Sequence, residues 1–364
     1  MSNGLKSGFL RLYHGETTID FIGRTRRFFI VSALVVVVGL ASLGIRGLNL
    51  GIDFKGGTAW EVIGTNQSVA SVTAAVEKAG AQQPTVYILG GSTIHVEADL
   101  NSLSGAELTK VENAVADSLA QLVGKASDQV SVSTIGPTWG GQVTAKARLA
   151  LIVFLIAVVA YISIRFEPKM AISALAAMLH DLLVTIGIYS LFGFQITPDT
   201  VIALLTILGY SLYDTVVVFD RVRDNTKSSL NAGSMTYSDM VNLSMNQTLA
   251  RSLNTSLVAV IPVMSVLLVG AELLGATTLR EYGLALFVGL LSGAYSSIFI
   301  ASPLLALLKE REPRMRELRQ RMETKEARSA LSPAAAARGV MERSTGGADK
   351  GSVIQARARK QKRR

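Results

Sequence analysis

ALLTILGYSLYDTVVVFDRVRDN, at residues 203–225, is the stretch that decides the class of fold. It begins as an apolar helix, carries the carboxylate Asp214 among side chains that suit lipid, and ends in alternating charges. An ionisable group within a membrane span costs about 2.5–3.5 kcal/mol on insertion scales, so it usually faces the interior of a helix bundle. Asp214 therefore either makes a structural polar contact between helices or belongs to a proton or ion relay.

The composition of the chain is that of a multi-pass membrane protein. Of its 364 residues, 49% are hydrophobic and only 17% are charged, and the mean hydropathy is +0.38. The sequence contains no cysteine, which excludes disulfides and thiolate metal sites. The formal charge of +9 originates in the C-terminal region, because residues 309–364 contain 17 Lys/Arg against 7 Asp/Glu.

Apolar runs predict six transmembrane helices. The first run, FFIVSALVVVVGLASLGI at residues 28–45, follows three nearby arginines and is long enough to cross a bilayer. A cleaved signal peptide is the alternative for this run, but its length and the five later spans favour an uncleaved helix. The predicted spans are residues 28–46, 148–165, 171–192, 200–219, 251–276 and 283–308.

The distribution of Lys and Arg predicts the orientation of these spans. Six spans place both termini on one side, and the Lys/Arg bias assigns residues 1–27 and 309–364 to the cytoplasm. We expect the basic tail at residues 309–364 to be a frayed helix that grades into disorder. Contact with anionic lipid or with the ribosome is one role for this tail, and a solvated tail is the alternative.

Residues 47–147 form a predicted extracytoplasmic domain between the first two spans. Period-two alternation predicts four strands and helical spacing predicts two helices. The strands are at residues 58–63, 85–89, 93–98 and 129–135, and the helices are at residues 68–80 and 104–123. The order strand, helix, two strands, helix, strand is that of the split βαβ, or ferredoxin-like, arrangement. The predicted fold class is therefore a polytopic α-helical membrane protein with six transmembrane helices and one α+β ferredoxin-like extracytoplasmic domain.

The motif GIDFKGGT, at residues 51–58, lies where the chain leaves the first span. Gly56 and Gly57 permit backbone angles that other residues avoid, so the motif predicts a tight turn or bulge. A phosphate-binding loop is excluded because the motif lacks the Gly-Lys-Ser/Thr ending and lies on the predicted outer side.

Four polar residues within the bundle are candidates for proton coupling: His180, Asp181, Asp214 and Arg251. Asp214 lies in the inner half of the fourth predicted span, and Arg251 enters the fifth span from the cytoplasmic side. Arg251 can snorkel to water, or it can pair with Asp214 as a switch that releases when the carboxylate is protonated. The His180–Asp181 pair is either a hydrogen-bonded helix contact or a second proton-binding site on the same relay as Asp214.

Several ordered motifs resemble those of the SecF branch of the SecD/SecF family, which are membrane subunits of bacterial protein export. That family is related to the resistance-nodulation-division transporters. The resemblance covers residues 18–308, nearly all of the chain apart from its two ends. The motifs are LGIDFKGGT (50–58), RFEP (165–168), LHD (179–181), GYSLYDTVVVFDRVRDN (209–225), NQTLARSLNTS (246–256) and YSSIFIASPLL (295–305).

The resemblance implies an accessory subunit of the Sec preprotein translocase that is not an enzyme and uses no cofactor, metal or nucleotide. Its implied partners are SecD in a heterodimer, the SecYEG channel and preproteins, with YidC and YajC as further candidates. The complex would sit in the bacterial cytoplasmic membrane and use the proton-motive force to complete export, while the SecA ATPase pushes from inside.

The resemblance also implies roles for single residues. Asp214 and Arg251 would be proton-linked, and the outer domain would move as the spans rearrange. Six other positions would be structural parts of the motifs, namely Asp53, Phe54, Gly56, Gly57, Asp220 and Arg221.

One position departs from the family pattern, which commonly has Asn immediately before the fourth-span Asp. This chain has Tyr213 there, so the hydration and the partners of Asp214 are predicted to differ. Two other functions stay open: a small-molecule or lipid transporter of the wider superfamily, and a passive scaffold without proton coupling. An independent transporter normally has about twelve spans and two outer domains, twice what this chain carries.

Overall fold

The computed structural model describes residues 17, 19–232 and 235–330, except for the side chains of residues 228–232, 272, 323 and 325–330. In chain order, the α-helices are α1 (Thr25–Arg46), α2 (Ile52–Lys55), α3 (Val69–Lys78), α4 (Ala106–Val123), α5 (Pro137–Arg165), α6 (Pro168–Phe192), α7 (Pro198–Ala232), α8 (Tyr237–Ser265), α9 (Thr277–Ser296), α10 (Ser302–Glu310) and α11 (Pro313–Ala330). Two π-helical segments adjoin them: Val266–Leu273 continues α8, and Ser297–Ala301 joins α9 to α10.

Six helical segments in the described residues are long and apolar enough to cross a membrane. They are α1, α5, α6, α7, α8 with its π-helical extension, and the continuous run from α9 to α10. Proline in the first turn and glycine after the last turn set the ends of α6, because Pro168 needs no helical hydrogen bond there and Gly193 adopts a left-handed conformation. The short RFEP link between α5 and α6 follows directly from that arrangement.

The sheet domain, residues 57–135, contains four antiparallel strands and the helices α3 and α4. The described residues contain six strands, which are β1 (Asn49–Leu50), β2 (Gly57–Ile63), β3 (Thr85–Leu89), β4 (Thr93–Ala98), β5 (Ser131–Ile135) and β6 (Gln195–Ile196). The strand order is β3-β4-β2-β5, and the element order is the split βαβ order. Alternate residues such as Trp60 and Val62 enter one core together with Val72 and Leu119 of the two helices.

A second, two-stranded sheet joins the sheet domain to the helix bundle. Strand β1 follows α1 directly and pairs in parallel with β6, which lies in the connection between α6 and α7. Asn49 is opposite Gln195, and its side-chain amide also donates to the carbonyl of Gly193 at 3.1 Å. The point where the sheet domain leaves α1 is therefore fixed to the ends of two other membrane helices.

Four helix boundaries lie well outside the spans that hydropathy predicts. Helix α5 begins at Pro137 rather than at residue 148, and α9 begins at Thr277 rather than at residue 283. Helix α7 extends to Ala232, and helix α8 begins at Tyr237. Most of the connection between the fourth and fifth predicted spans, residues 220–250, is therefore helical. Hydropathy detects only the part of a helix that suits lipid, and the first turns of α9 contain charged residues that hide its start.

The start of the basic tail is helical, because α10 extends to Glu310 and α11 spans Pro313–Ala330. Helix α11 packs Met315 against the bundle. Lys169 and Lys309 both form ion pairs with Glu312 at 3.0 and 3.3 Å, and Lys309 also pairs with Glu167. These contacts fix the start of α11 to the bundle. Residues 1–16 and 331–364 lie outside the described part of the chain.

Glycines allow two pairs of membrane helices, α1 with α6 and α7 with α9, to approach closely. A Cβ atom at Gly39 of α1 would lie 2.8 Å from the Cα atom of Gly187 of α6. On α9, Gly289 and Gly293 are four residues apart, and Cβ atoms there would lie 2.2 Å from Ile207 and 3.0 Å from Ser211 of α7. This spacing is the small-xxx-small pattern that brings membrane helices together.

We predict that Gly39→Val destabilises the protein, because the added side chain must separate α1 from α6. Overpacking of this kind typically costs about 1–3 kcal/mol. Thermal unfolding in detergent would measure the effect, and Gly44→Val is the matched control because a Cβ at Gly44 meets no atom within 4 Å. Equal melting temperatures for the two variants would contradict the close packing of α1 on α6.

Candidate functional site

Asp181 is the centre of a polar site in the middle of the helix bundle. It lies on α6, and its exposed fraction is 0%. The hydroxyls of Ser211 on α7 and of Ser292 and Ser296 on α9 donate to its carboxylate at 2.6, 2.8 and 2.7 Å. The Nδ1 atom of His180 lies 3.3 Å from the same carboxylate. A buried carboxylate needs this many partners to offset its lost hydration, so the site binds three helices together.

Asp214 forms a second buried carboxylate site close to the first. It lies on α7 with an exposed fraction of 3%, and the hydroxyl of Ser297 donates to its Oδ2 atom at 2.6 Å. Ser297 follows Ser296, so consecutive hydroxyls contact the two carboxylates. Asp214 is also three residues from Ser211 on α7, a spacing that places both on one helix face. The two carboxylates are therefore linked by short routes along α7 and along α9.

The link along α9 coincides with a change in helix type. The π-helical segment begins at Ser297, directly after Ser296, and the hydroxyl of Ser302 donates to the carbonyl of Ser297 at 3.1 Å. Short π-helical segments are rare and occur frequently at functional sites. The wider turn is a physical reason why α9 can present adjacent hydroxyls to two different acceptors.

His180 connects the Asp181 site to α1. Its ring stacks on Tyr295 with centroids 6.1 Å apart, and the hydroxyl of Tyr295 contacts both Ser32 and the carbonyl of Phe28. The Nε2 atom of His180 is buried and has no hydrogen-bond partner among the described residues. It lies beside an apolar cavity of about 320 Å³ between α1, α6 and α9.

Arg251 and Tyr213 are placed on the outside of the bundle. The Arg251 side chain on α8 is exposed, and Tyr213 on α7 is 55% exposed. In the described part of the chain no ion pair joins Asp214 to Arg251, and the hydrogen-bond partner of Asp214 is Ser297. Tyr213 therefore points away from the buried site although it is adjacent to Asp214 in sequence.

Asp220 and Arg221 lie at the end of the bundle opposite the sheet domain. Asp220 forms ion pairs with Arg165 at 3.1 Å and with Arg223 at 3.2 Å. The Nε atom of Arg221 donates to Gln247 at 2.7 Å. These contacts tie α7 to α5 and α8 and lie outside the buried carboxylate site.

The glycine motif is located where the sheet domain meets the bundle. Gly56 and Gly57 have φ angles of +84° and +136°, and a Cβ atom at Gly57 would lie 2.8 Å from the carbonyl oxygen of Ala98. Phe54 packs into an apolar cluster of the bundle that includes Tyr189 and Ile196. The motif is a junction between the two parts of the molecule.

Asp53 of the same motif lies among other acidic residues. Burial raises the pKa of its carboxyl above the ordinary value, and the negative charges of Glu97 and Asp199 raise it further. The carboxyl is therefore partly protonated at a higher pH than an exposed Asp would be.

Sequence reasoning missed the serines that surround the two carboxylates. Ser211 belongs to GYSLYD, and Ser292, Ser296 and Ser297 belong to the small-residue run GLLSGAYSS at residues 289–297. Their spacing was a usable signal, because Ser292 and Ser296 are four residues apart and so share one helix face.

A multi-pass membrane protein with ionisable groups inside its helix bundle is the class that this fold and site define. The chain matches the family described as protein export membrane protein SecD/SecF, C-terminal, over residues 114–311. It also matches the SecD/SecF GG motif over residues 41–58, the segment that contains Gly56 and Gly57. The chain belongs to the SecD/SecF family.

The relatives that match along most of their length carry the name protein translocase subunit SecF. The chain is 40% identical to the one from Streptomyces coelicolor over 88% of this chain and 84% of the relative. It is 44% identical to one from Mycobacterium tuberculosis, over 88% of this chain and 73% of the relative.

Some solved structures and relatives are much longer than the region that this chain matches. A crystal structure of SecDF from Thermus, a translocon-associated membrane protein, matches with a TM-score of 0.71 and 30% identity, over 82% of this chain. The chain spans only 39% of that protein, and it likewise spans 38% of the Bacillus subtilis SecDF, to which it is 36% identical.

We predict that Ser296→Ala lowers the free energy of unfolding by about 0.6–1.7 kcal/mol, which are the average and the maximum that double-mutant cycles give for hydrogen bonds between membrane helices. The cause is the lost donor to Asp181. Unfolding in mixed micelles would measure it, with Ser265→Ala as the control because Ser265 is exposed and donates only to its own helix. An equal effect of both changes would argue against a structural role for the Asp181 site.

Proposed function

We propose that this chain, as an accessory subunit of the Sec translocase, couples proton movement to a late step of preprotein export. The observation that carries the proposal is the pair of buried carboxylates, Asp181 and Asp214, linked by the hydroxyls of Ser211, Ser296 and Ser297. Buried carboxylates that face a bundle interior are the usual carriers of protons in membrane proteins. Relatives are named translocase subunits, which supports a proposed role without covalent chemistry.

Protonation would change the contacts of Asp214 directly. An ionised carboxylate only accepts hydrogen bonds, whereas a protonated one can also donate. Ser297 donates to the carboxylate at 2.6 Å. Once Asp214 is protonated, the Ser297 hydroxyl would be able to accept a hydrogen bond from the carboxyl group instead. Because Ser297 begins the π-helical segment, we infer that this change alters the fit of α9 against α7. Three serine hydroxyls donate to Asp181, so the contacts of Asp181 would stay the same while those of Asp214 change.

The outward face of α7 and α8 is the proposed docking surface for SecD. Tyr213, Arg251 and Asn254 are exposed there at the depth of the membrane spans. Polar side chains that face lipid are costly, so this pattern favours contact with protein. Longer relatives carry SecD and SecF in one chain, which supports a SecD partner beside this bundle. Such a partner could also supply the group that pairs with Arg251.

The proposed orientation follows the distribution of charge. Residues 1–27 and 309–364 would be cytoplasmic, the sheet domain would be a ferredoxin-like unit outside the cytoplasmic membrane, and residues 148–308 would form the five-helix part of the bundle. Preproteins and the SecYEG channel are the proposed partners of the complex, with YidC and YajC as further candidates. The basic tail would contact anionic lipid or the ribosome.

We predict that Asp214→Asn abolishes the part of preprotein export that depends on the proton gradient. Asn keeps an oxygen that can accept from Ser297, but it cannot bind and release a proton. Export from spheroplasts, with and without the gradient, would measure the effect, and assembly with SecD would be checked by affinity capture. The exposed Asp128 provides the control, Asp128→Asn. Normal gradient-dependent export by an assembled Asp214→Asn complex would leave the chain as a passive scaffold.

We predict that a photo-crosslinking residue at position 258 captures SecD. Val258 lies on the exposed face of α8, whereas Ile156 is similarly exposed on α5 and serves as the control position. Irradiation of membranes followed by mass spectrometry would identify the captured chain. Capture of SecD from position 156 but not from position 258 would show that SecD docks on α5 rather than on α7 and α8.

A further inference from the structure

A small polar chamber lies between the sheet domain and the bundle. Its volume is about 180 Å³. Tyr87 of β3 contributes from the sheet domain, while Tyr189 of α6, Gln195 of β6, and Arg280 and Glu281 of α9 contribute from the bundle. The guanidinium of Arg280 lies over the Tyr87 ring, 5.8 Å from its centroid. The wall of the chamber is therefore formed by residues from both parts of the molecule.

Gln195 shows that the chamber is built to hold a polar ligand. Its exposed fraction is 8%, and its side-chain amide donates to Glu97 of β4. Its Oε1 atom is buried and has no hydrogen-bond partner among the described residues. Buried polar atoms without protein partners are usually satisfied by ordered water. A water molecule occupies about 30 Å³ in the liquid, so the chamber has room for several.

We propose that this chamber holds water and loads protons from the outside, with Glu281 as the group that accepts them. The inference rests on the proposed function, because a proton-loading site is useful only if protons reach the buried carboxylates. Glu281 would take a proton from hydronium and release it inward, so only O–H bonds form and break.

The groups around Glu281 favour proton collection. The ionisable groups that face it or line the chamber are Tyr87, His95, Glu97, Tyr189, Asp199 and Arg280, with Asp53 close to Glu97 and Asp199. Four carboxylates, those of Asp53, Glu97, Asp199 and Glu281 itself, therefore outnumber the two cationic groups, Arg280 and His95. A cleft with an excess of negative charge raises the local concentration of cations, including hydronium.

His95 offsets part of the negative charge of the carboxylates near the chamber. Its ring lies 3.1 Å from Glu97 and 3.4 Å from Glu61. Burial lowers the pKa of His95, but the hydrogen bonds and charges of Glu97 and Glu61 outweigh it and raise the pKa above its ordinary value. His95 is therefore cationic over a wider pH range than an exposed histidine and neutralises part of the Glu97 charge.

A polar stripe on α6 leads from the chamber towards Asp181. Tyr189, Thr185 and Asp181 are spaced by four residues, so they share one helix face, and all three are fully buried. The Tyr189 hydroxyl donates to the carbonyl of Glu281 at 3.4 Å, and the Thr185 hydroxyl donates to the carbonyl of Asp181 at 2.8 Å. Eight residues of helix span about 12 Å, a distance that a few water molecules can bridge.

The absence of cysteine from the sequence allows a direct test for water in the chamber. Leu284→Cys places a thiol in the chamber wall, and Val288→Cys places one in the wall of the apolar cavity beside His180. A small charged methanethiosulfonate reagent would be added outside spheroplasts that contain the complete complex. Thiolates form in water, so we expect Leu284→Cys to react at least about tenfold faster than Val288→Cys. Equal, slow reaction of both would show a dry chamber and overturn the inference.

The role of Glu281 is tested by gradient-driven export at outer pH values from about 6 to 8. We expect Glu281→Gln to lose most of the dependence on outer pH, while Glu107→Gln, an exposed change in the sheet domain, behaves as wild type. If Asp214→Asn is defective but assembled Glu281→Gln matches wild type at every pH, the inference is wrong and the proposed function stands. If Asp214→Asn also exports normally, the proposed function is wrong.

Discussion

The hydrogen bonding of the Asp181 carboxylate is the constraint on which the bundle depends. Helices in lipid gain little from burying apolar side chains against each other, so close packing and interhelical hydrogen bonds must hold them. Three serine hydroxyls from α7 and α9 converge on one carboxylate of α6. Helix α7 supplies one of the three donors and α9 supplies the other two, so the Asp181 carboxylate is fully satisfied only when all three helices are packed together.

The close packing of the same helices follows from this constraint. Hydroxyl groups on short side chains reach a carboxylate only when the helix backbones approach closely, and Gly293 opposite Ser211 permits that approach. Asp214 lies beside this rigid unit at the edge of a π-helical segment, and among the residues that the structure describes one hydroxyl donates to it. The bundle thus places Asp181, which accepts several hydrogen bonds, next to the more weakly bound Asp214. A change of charge would therefore act mainly on the contact between Asp214 and Ser297.

Hydropathy and periodicity predicted the six spans and the order of elements in the sheet domain, because both follow from local patterns. The charged first turns of α9 and the polar start of α5 were missed, since hydropathy detects only the lipid-facing part of a helix. Asp181 and Asp214 could be found as charges within apolar runs. Their serine partners were missed although Ser292 and Ser296 share one helix face, because a serine in a membrane helix often bonds its own backbone, as Ser265 does. The outward position of Arg251 likewise depends on helix rotation, which sequence spacing leaves open.

The parallel pairing of β1 with β6 has a consequence for biosynthesis. Asn49 bonds to Gly193, which lies 144 residues later in the chain. At about 5–20 residues per second, the ribosome needs on the order of 10 s to make that partner. The sheet domain can form its own core during this interval, but its attachment to the bundle must wait until α6 has been inserted. Assembly of this junction is therefore ordered in time by the chain itself.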